Sequence, residues 1–252
     1  ARHYARDARR LLRPRRRLGA LPGLVGVVER RVPFGVVGVI APWNYPLTLA
    51  ISDAIPAMMA GNCVVVKPDV QTTLSALWIA DLLQRAGLPP GVFTVVAGEG
   101  SVVGPLVIDR SDYVMFTGST AVGRGVAARC GELLIGCSME LGGKNAMIVR
   151  GDAYIAAAAA LACRASFSNS GQLCISMERI YVDQSIVDEF LDAFARRTQA
   201  LRMSAQIGWG ADVGSLISQR QRDRVAAHVE NAVTLGADVI VGGQPCLLYT
   251  SD

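Results

Sequence analysis

The chain has 252 residues, 51% of them hydrophobic, enough to bury one large core or two smaller ones. Its longest apolar run, Tyr154 to Cys163, stops at Arg164, far short of the roughly 18 residues that a membrane-spanning helix needs. The formal charge of +4 is local, because residues 1–17 carry eight Arg against one Asp and the remainder is left at −3.

In chain order, Tyr4 through Leu12 reads as the middle of an Arg-rich helix, so the natural start is expected further upstream. Arg9, Arg10, Arg13, Arg16 and Arg17 with Leu11, Leu12 and Leu18 read as a solvated helix face. No aromatic residue beyond Tyr4 interleaves these arginines, so no nucleic-acid partner is expected, and no membrane. Short β-branched runs bounded by Gly and Pro then alternate with helical patterns, the signature of a parallel sheet with helices on its faces. The strands are expected at Val36–Ile40, Cys63–Val66, Val92–Val96, Tyr113–Phe116 and Leu133–Ile135. Helices are expected at Pro46–Met59, Thr72–Ala86, Ser101–Ile108 and Thr120–Ala128, from apolar residues at three-and-four spacing. After Gly142-Gly143 the pattern restarts with strand Ala146–Val149, an Ala-rich helix, strand Ile180–Val182 and helix Ile186–Leu201. His228 falls on a further, polar helix, and Val239–Val241 looks strand-like before the turn at Gly242-Gly243.

The fold class is therefore α/β: a Rossmann-type sheet domain over residues 1–141 and the first part of a second α/β domain over 142–245. Residues 246–252, Cys-Leu-Leu-Tyr-Thr-Ser-Asp, resemble a translated sequencing adaptor and are set aside as non-native, the alternative being an ordinary polar C-terminus. Neither end carries a charged-then-apolar signal segment. The six cysteines, at 63, 130, 137, 163, 174 and 246, show no paired spacing. A reducing cytoplasm fits both features. Only two lysines, Lys67 and Lys144, stand among 23 arginines, which makes each worth following.

Four separated segments carry the chemistry: Pro42-Trp-Asn-Tyr-Pro46, Phe116-Thr-Gly-Ser-Thr120 with Gly123, Glu140-Leu-Gly-Gly-Lys144, and Gly171-Gln-Leu-Cys174. In this order, across Arg31 to Gly243, they resemble the aldehyde dehydrogenase superfamily. Within it the wording of Gly38–Pro46 and Cys174–Val182 is most similar to the bacterial NADP-dependent succinate-semialdehyde dehydrogenase branch. The resemblance implies an aldehyde substrate, a nicotinamide cofactor and, for the complete protein, a homo-oligomer.

Oxidising an aldehyde to an acid requires a nucleophile, a hydride acceptor, an oxyanion stabiliser and a base for the hydrolytic water. Cys174, in a loop after the flexible-looking Ser168-Asn-Ser170, is the nucleophile, reacting as thiolate. Cys63, Cys130, Cys137 and Cys163 lie in apolar strands or helices and read as structural thiols. By resemblance, Asn44 donates to the oxyanion together with the Cys174 N–H, and Glu140 is the general base for thioester hydrolysis. Asn44 lies between two prolines, which fix the backbone as a preorganised donor requires. Alone, Asn44 would read as a turn residue and Glu140 as a surface carboxylate.

The cofactor contacts are expected from Trp43, Lys67, Pro68, Asp69, Val70, Gly118, Ser119 and Leu141. Gly118 and Ser119 follow a strand and open a helix, where N–H groups and a hydroxyl can meet a pyrophosphate. Gly123-Arg-Gly125 imitates the Rossmann fingerprint, but no strand directly precedes it, and both glycines read as helix-packing residues. Many family members carry a Glu three residues after the lysine, accepting from the adenosine ribose. Val70 stands there instead. A Glu would repel a 2′-phosphate, so its absence favours NADP, with NAD as the alternative because Asp69 could swing toward the ribose.

Two competing functions remain on the sequence. A papain-like thiol hydrolase would need a base for Cys174, yet the only histidines are His3 and His228, neither well placed. The same scarcity argues against a zinc site. The other alternative is a catalytically inactive fragment or structural relative of the same family. No carboxylate-binding Arg is identifiable; Arg179 lies in a strand leading away from Cys174.

Overall fold

The computed structural model describes residues 2–206 and 208–244. The chain divides into two compact units, Ala1–Leu141 and Gly142–Asp252. In the first, helix α1 (Arg2–Leu12) leads into an antiparallel hairpin of β1 (Arg15–Leu18) and β2 (Gly26–Glu29). The arginine arm is thus helical only to Leu12. Arg15, Arg16 and Arg17 pair as a strand with Val27, Val28 and Glu29, every residue of β1 being exposed, so no apolar periodicity marked it in the sequence.

The five-stranded parallel sheet follows: β3 (Val36–Ile40), β4 (Cys63–Lys67), β5 (Phe93–Val95), β6 (Tyr113–Gly118) and β7 (Gly136–Leu141), in the order β5-β4-β3-β6-β7. Between them run α2 (Pro46–Ile51), α3 (Ala54–Met59), α4 (Thr73–Arg85), α5 (Gly100–Ile108) and α6 (Thr120–Glu132). One face of the sheet packs Val37, Val39, Val64 and Val66 with Ala50 of α2, Ala54 of α3 and Ala76 and Ile79 of α4. The other packs Val114 and Phe116 with Ile108 of α5 and Val126 and Cys130 of α6. Burial on both faces is why these strands read as continuous β-branched runs.

Two expectations need correction here. The helix expected over Pro46–Met59 is broken at Ser52-Asp53. Pro56 is the cause: it has no N–H for the Ser52 carbonyl, and its ring crowds that carbonyl four residues back. The strand expected at Leu133–Ile135 is instead the exit from α6: Leu134 adopts a positive φ of 57° and is 93% exposed, and the strand begins at Gly136. Cys63, expected to be a structural thiol, is exposed at the start of β4, whereas Cys130 and Cys163 are buried and Cys137 is half-buried.

The second unit pairs β8 (Asn145–Val149) with β9 (Met177–Val182) in parallel. Helices α7 (Ile155–Phe167) and α8 (Val187–Gln199) close a core of Val149, Ala158, Ala159, Ala162 and Phe190. The alanines let α7 approach closely, and Phe190 stacks on Phe194 at 5.8 Å between centroids. Helix α9 (Gln219–Thr234), which carries His228, has no buried residue. Val239–Val241 forms no strand, having no partner strand among the described residues. The adaptor-like residues 246–252 lie outside the described residues.

Candidate active site

In the first unit, strands β3, β4 and β5 run outward one way and β6 and β7 the other, so the connections reverse between β3 and β6. Open parallel sheets bind ligands at the carboxyl edge beside such a reversal. Trp43, Asn44, Lys67, Pro68, Asp69, Gly118, Ser119, Glu140 and Leu141 all lie at the carboxyl ends of β3, β4, β6 and β7 or just past them. Asn44 precedes Tyr45, the residue that starts α2 with Pro46 in its first turn. The Tyr45 N–H donates to Asn44 Oδ1 at 3.1 Å, which fixes the acceptor and donor ends of the amide. Both Trp43 and Asn44 are half-buried.

Lys67 closes β4 and is only 5% exposed, with its Nζ beside the start of α5 at Gly100. Burial pulls its ammonium below the usual range, opposed by the Asp69 and Glu99 carboxylates. No salt bridge holds it among the described residues. Pro68 beside it is buried, and Val70, 43% exposed, starts a short 3-10 turn. Asp69 caps that turn: its Oδ1 accepts from the Gln71 N–H at 3.0 Å and from Gln71 Nε2 at 3.2 Å. These bonds hold the carboxylate that was expected to be available to a ribose.

Ser119 caps α6, its Oγ accepting from the Val122 N–H at 3.4 Å. Gly123 is a packing glycine as expected, since a Cβ there would lie 2.5 Å from Leu141 Cδ2. Gly125 is not: nothing lies within 4 Å of where its Cβ would be. In β7 the side chains alternate, with Cys137, Met139 and Leu141 packing toward α6. Ser138 takes the opposite face, its hydroxyl 2.7 Å from that of Tyr113, and Glu140 shares that face. A buried lysine without a salt bridge, a capped helix start and the close α6 approach at Gly123 fit a phosphate-bearing dinucleotide at this edge.

In the second unit Cys174 is exposed on the turn between α7 and β9. The stretch before it is tightly bonded rather than flexible. Asn169, Ser170 and Gly171 take φ values of 52°, 58° and 73°, a left-handed run that Asn and Gly adopt readily and that is costly for Ser170. Gln172 Nε2 donates to the Asn169 carbonyl, Gln172 Oε1 accepts from the Ile217 N–H, and Ser170 Oγ donates to the Gly214 carbonyl. Beyond the nucleophile, Asn145 Nδ2 donates to the carbonyls of Cys174 at 2.7 Å and Ser176 at 2.9 Å. The buried Ser176 hydroxyl donates to Ser166 and Ala165 carbonyls at the end of α7.

Asn145, Gln172 and Ser176 escaped the sequence reading as supports, although Gln172 lies inside the quoted motif. Asn145 offered one signal, a polar residue opening an apolar strand. Lys144 pairs with Glu178 at the surface of this unit, and Arg179 is exposed on β9. A cavity of about 560 Å³, lined by Met203, Leu216, Arg222, Val225 and Val229 among others, contains none of the expected site residues. Among the described residues no group of three His, Cys, Asp or Glu could hold a metal, and no helix is long and apolar enough to cross a membrane.

The first unit thus offers a sheet edge suited to a nucleotide, and the second an exposed cysteine on a braced loop. The chain belongs to the aldehyde dehydrogenase family, whose model, described as "Aldehyde dehydrogenase family", matches residues 1–250. It is 55% identical over 243 residues to the "Putative succinate-semialdehyde dehydrogenase NADP(+)" of Mycolicibacterium smegmatis, covering 96% of this chain and 47% of that protein. A Mycobacterium ulcerans protein of the same description, numbered 2, is 50% identical over 97% of this chain and 47% of its own length. Among solved structures, a Mycobacterium tuberculosis aldehyde dehydrogenase complexed with NAD+ superposes with a TM-score of 0.91 at 36% identity, covering 97% of this chain and 50% of that one. An E. coli NADP-dependent enzyme gives a TM-score of 0.92 at 33% identity, covering 96% and 50%. The chain thus spans about half the length of the curated relatives it matches.

Proposed function

We propose that this chain carries the nucleophile and base of an enzyme that oxidises an aldehyde, succinate semialdehyde, to its carboxylic acid with NADP. The observation that carries the reading is Cys174, an exposed thiol on a loop braced from both sides, in a chain of this family. The substrate and the preference for NADP over NAD rest on the names of the relatives at 50–55% identity and on Val70 standing where a ribose-binding Glu would exclude a 2′-phosphate.

The Cys174 thiolate adds to the aldehyde carbon, forming a thiohemiacetal whose oxyanion accepts from the Asn44 amide and the Cys174 N–H. A nicotinamide cofactor, when bound, would supply the hydride acceptor for this oxidation. Trp43, Lys67, Pro68, Asp69, Val70, Gly118, Ser119 and Leu141 would hold that cofactor, the Lys67 ammonium and the helix start at Gly118-Ser119 offering hydrogen-bond donors to its hydroxyl and phosphate groups. Glu140 takes a proton from the water that attacks the thioester, and the acid leaves as Cys174 returns to thiolate.

The test uses a protein extended to the full length of the relatives. Cys174→Ala abolishes aldehyde oxidation while NADP still binds; Glu140→Gln allows one rapid round of NADPH formation followed by a slow steady state. Turnover retained by the Cys174 variant removes the nucleophile, and an unchanged steady state removes the base. A second reading, a chain with the fold but no turnover, is favoured for the 252 residues alone by their 47% coverage of the relatives. It predicts no oxidation by this chain beside turnover by the extended form.

A further inference from the structure

Cys130 and Cys137 stand on either side of the turn that joins α6 to β7. Cys130 lies in the last turn of α6, fully buried in a cluster with Ile108, Val114, Phe116 and Val126. Cys137, the second residue of β7, packs half-buried against the same cluster and pairs in register with Val114. The Ile135 N–H donates to the Cys130 carbonyl at 3.0 Å, which folds the chain back beside the helix end. Side chains on a helix tilt toward its N-terminus, and β7 runs back in that direction. Cys130 therefore leans along the strand, past Ile135 to the next residue on the same face. That residue is Cys137, and the two thiols hydrogen-bond to each other. Both are free thiols in this structure, and neither belongs to the carboxyl-edge site.

We propose that Cys130 and Cys137 are a peroxide-responsive dithiol, oxidised to a disulfide that staples the end of α6 to the start of β7. Hydrogen peroxide meets Cys137 first, because Cys130 is fully buried. The Cys137 sulfur attacks one peroxide oxygen, the O–O bond breaks, and a sulfenic acid forms with release of one water. The Cys130 sulfur then attacks the Cys137 sulfur, and the displaced hydroxyl leaves as a second water with the Cys130 proton. Two thiols and one peroxide thus give one disulfide and two waters, the dithiol losing two electrons. Burial, with the Cys137 thiol beside it, pushes the Cys130 thiol up to about 11, which keeps it protonated and leaves the first attack to Cys137. A disulfide needs neighbouring Cβ atoms, and thiols in contact across a packed helix and strand have them.

The experiment uses the full-length protein carrying Cys174→Ser, which removes the exposed thiol that would compete for peroxide. No Lys or Arg lies between Arg129 and Lys144, so trypsin releases Cys130–Lys144 as one peptide holding both cysteines. After hydrogen peroxide and then N-ethylmaleimide, that peptide is expected two hydrogens lighter and unlabelled. Dithiothreitol before the maleimide restores the hydrogens and admits two labels. Oxidation of Met139 in the same peptide adds an oxygen and is separated by mass. Cys130→Ser should leave Cys137 as a sulfenic acid that dimedone captures. The oxidised protein should unfold at a higher urea concentration than the reduced one, a difference that Cys137→Ser abolishes. Two maleimide labels after peroxide overturn the proposal. So does Cys137 recovered as a sulfinic acid beside a labelled Cys130, or joined to a cysteine outside this peptide. A disulfide that forms without moving the urea midpoint overturns the staple.

Discussion

Replacing Asn145 by Ala measures how firmly the nucleophile is held. Its amide makes two bonds, one to the carbonyl of the exposed Cys174 and one to the carbonyl of the buried Ser176. Water replaces the first with little loss, about 0.5 kcal/mol, while the second is worth about 1–1.5 kcal/mol, since its acceptor is partly desolvated. Against them stands the left-handed Ser170, which costs roughly 1–2 kcal/mol and relaxes if its restraints weaken. The bracing and the strain are thus comparable. Losing about 1.5–2 kcal/mol of bracing shifts the loop population by about tenfold or more, because 1.4 kcal/mol is a factor of ten. The expected outcome in the full-length enzyme is a fall of about tenfold in kcat, with the Kd for NADP unaltered. Asn145→Asp, which keeps the volume but removes the donors, should fall as far. Wild-type kcat in the Ala variant would refute the bracing, as would parallel loss of cofactor binding, which would signal general unfolding instead.

Two further outcomes follow from the first unit. Gly123→Ala should lower stability to urea by about 1–3 kcal/mol through overlap with Leu141, whereas Gly125→Ala on the same helix should raise it by up to about 1 kcal/mol; equal midpoints would show that α6 is not pressed on β7. Val70→Glu places a carboxylate where a 2′-phosphate is proposed, a like-charge contact worth up to about 4 kcal/mol at 4 Å and an effective dielectric near 20 before screening. The ratio of kcat/KM for NADP over NAD should move at least about tenfold toward NAD, and equal change with both cofactors would remove Val70 from the ribose.

The parallel sheet was legible because strands buried on both faces must be apolar along nearly their whole length, and Val36–Ile40 and Cys63–Val66 are. The strand ends beside Asn44, Lys67 and Ser119 were legible from the β-branched runs Val36–Ile40, Cys63–Val66 and Tyr113–Phe116 that precede them. The hairpin of Arg15–Leu18 and Gly26–Glu29 was hidden, since exposed arginines carry no periodicity. The break at Ser52-Asp53 was legible in principle from Pro56, four residues on, but the apolar pattern continued across it. Leu133-Leu134-Ile135 misled because three apolar residues look alike as a strand or as a helix exit. Asn145 was not legible as a support, because its partners, the Cys174 and Ser176 carbonyls, lie on a loop distant in sequence.

The register of β7 decides what Glu140 can do. A slip of one residue against β6 would turn Glu140 toward α6, and put Met139 on the face of α2 and α3. Tyr113 pairs with Gly136, and any side chain there would bring its Cβ within 2.7 Å of the Tyr113 ring. Only a glycine admits the ring at that point, and the Tyr113 hydroxyl then reaches Ser138 two residues on, on the same face. From Gly136 the alternation is fixed for the whole strand, four residues to Glu140 and five to Leu141. A backbone position with no side chain, at the far end of the strand from the chemistry, thereby determines that the carboxylate faces α2 and α3 while Leu141 packs against the helix that opens at Ser119.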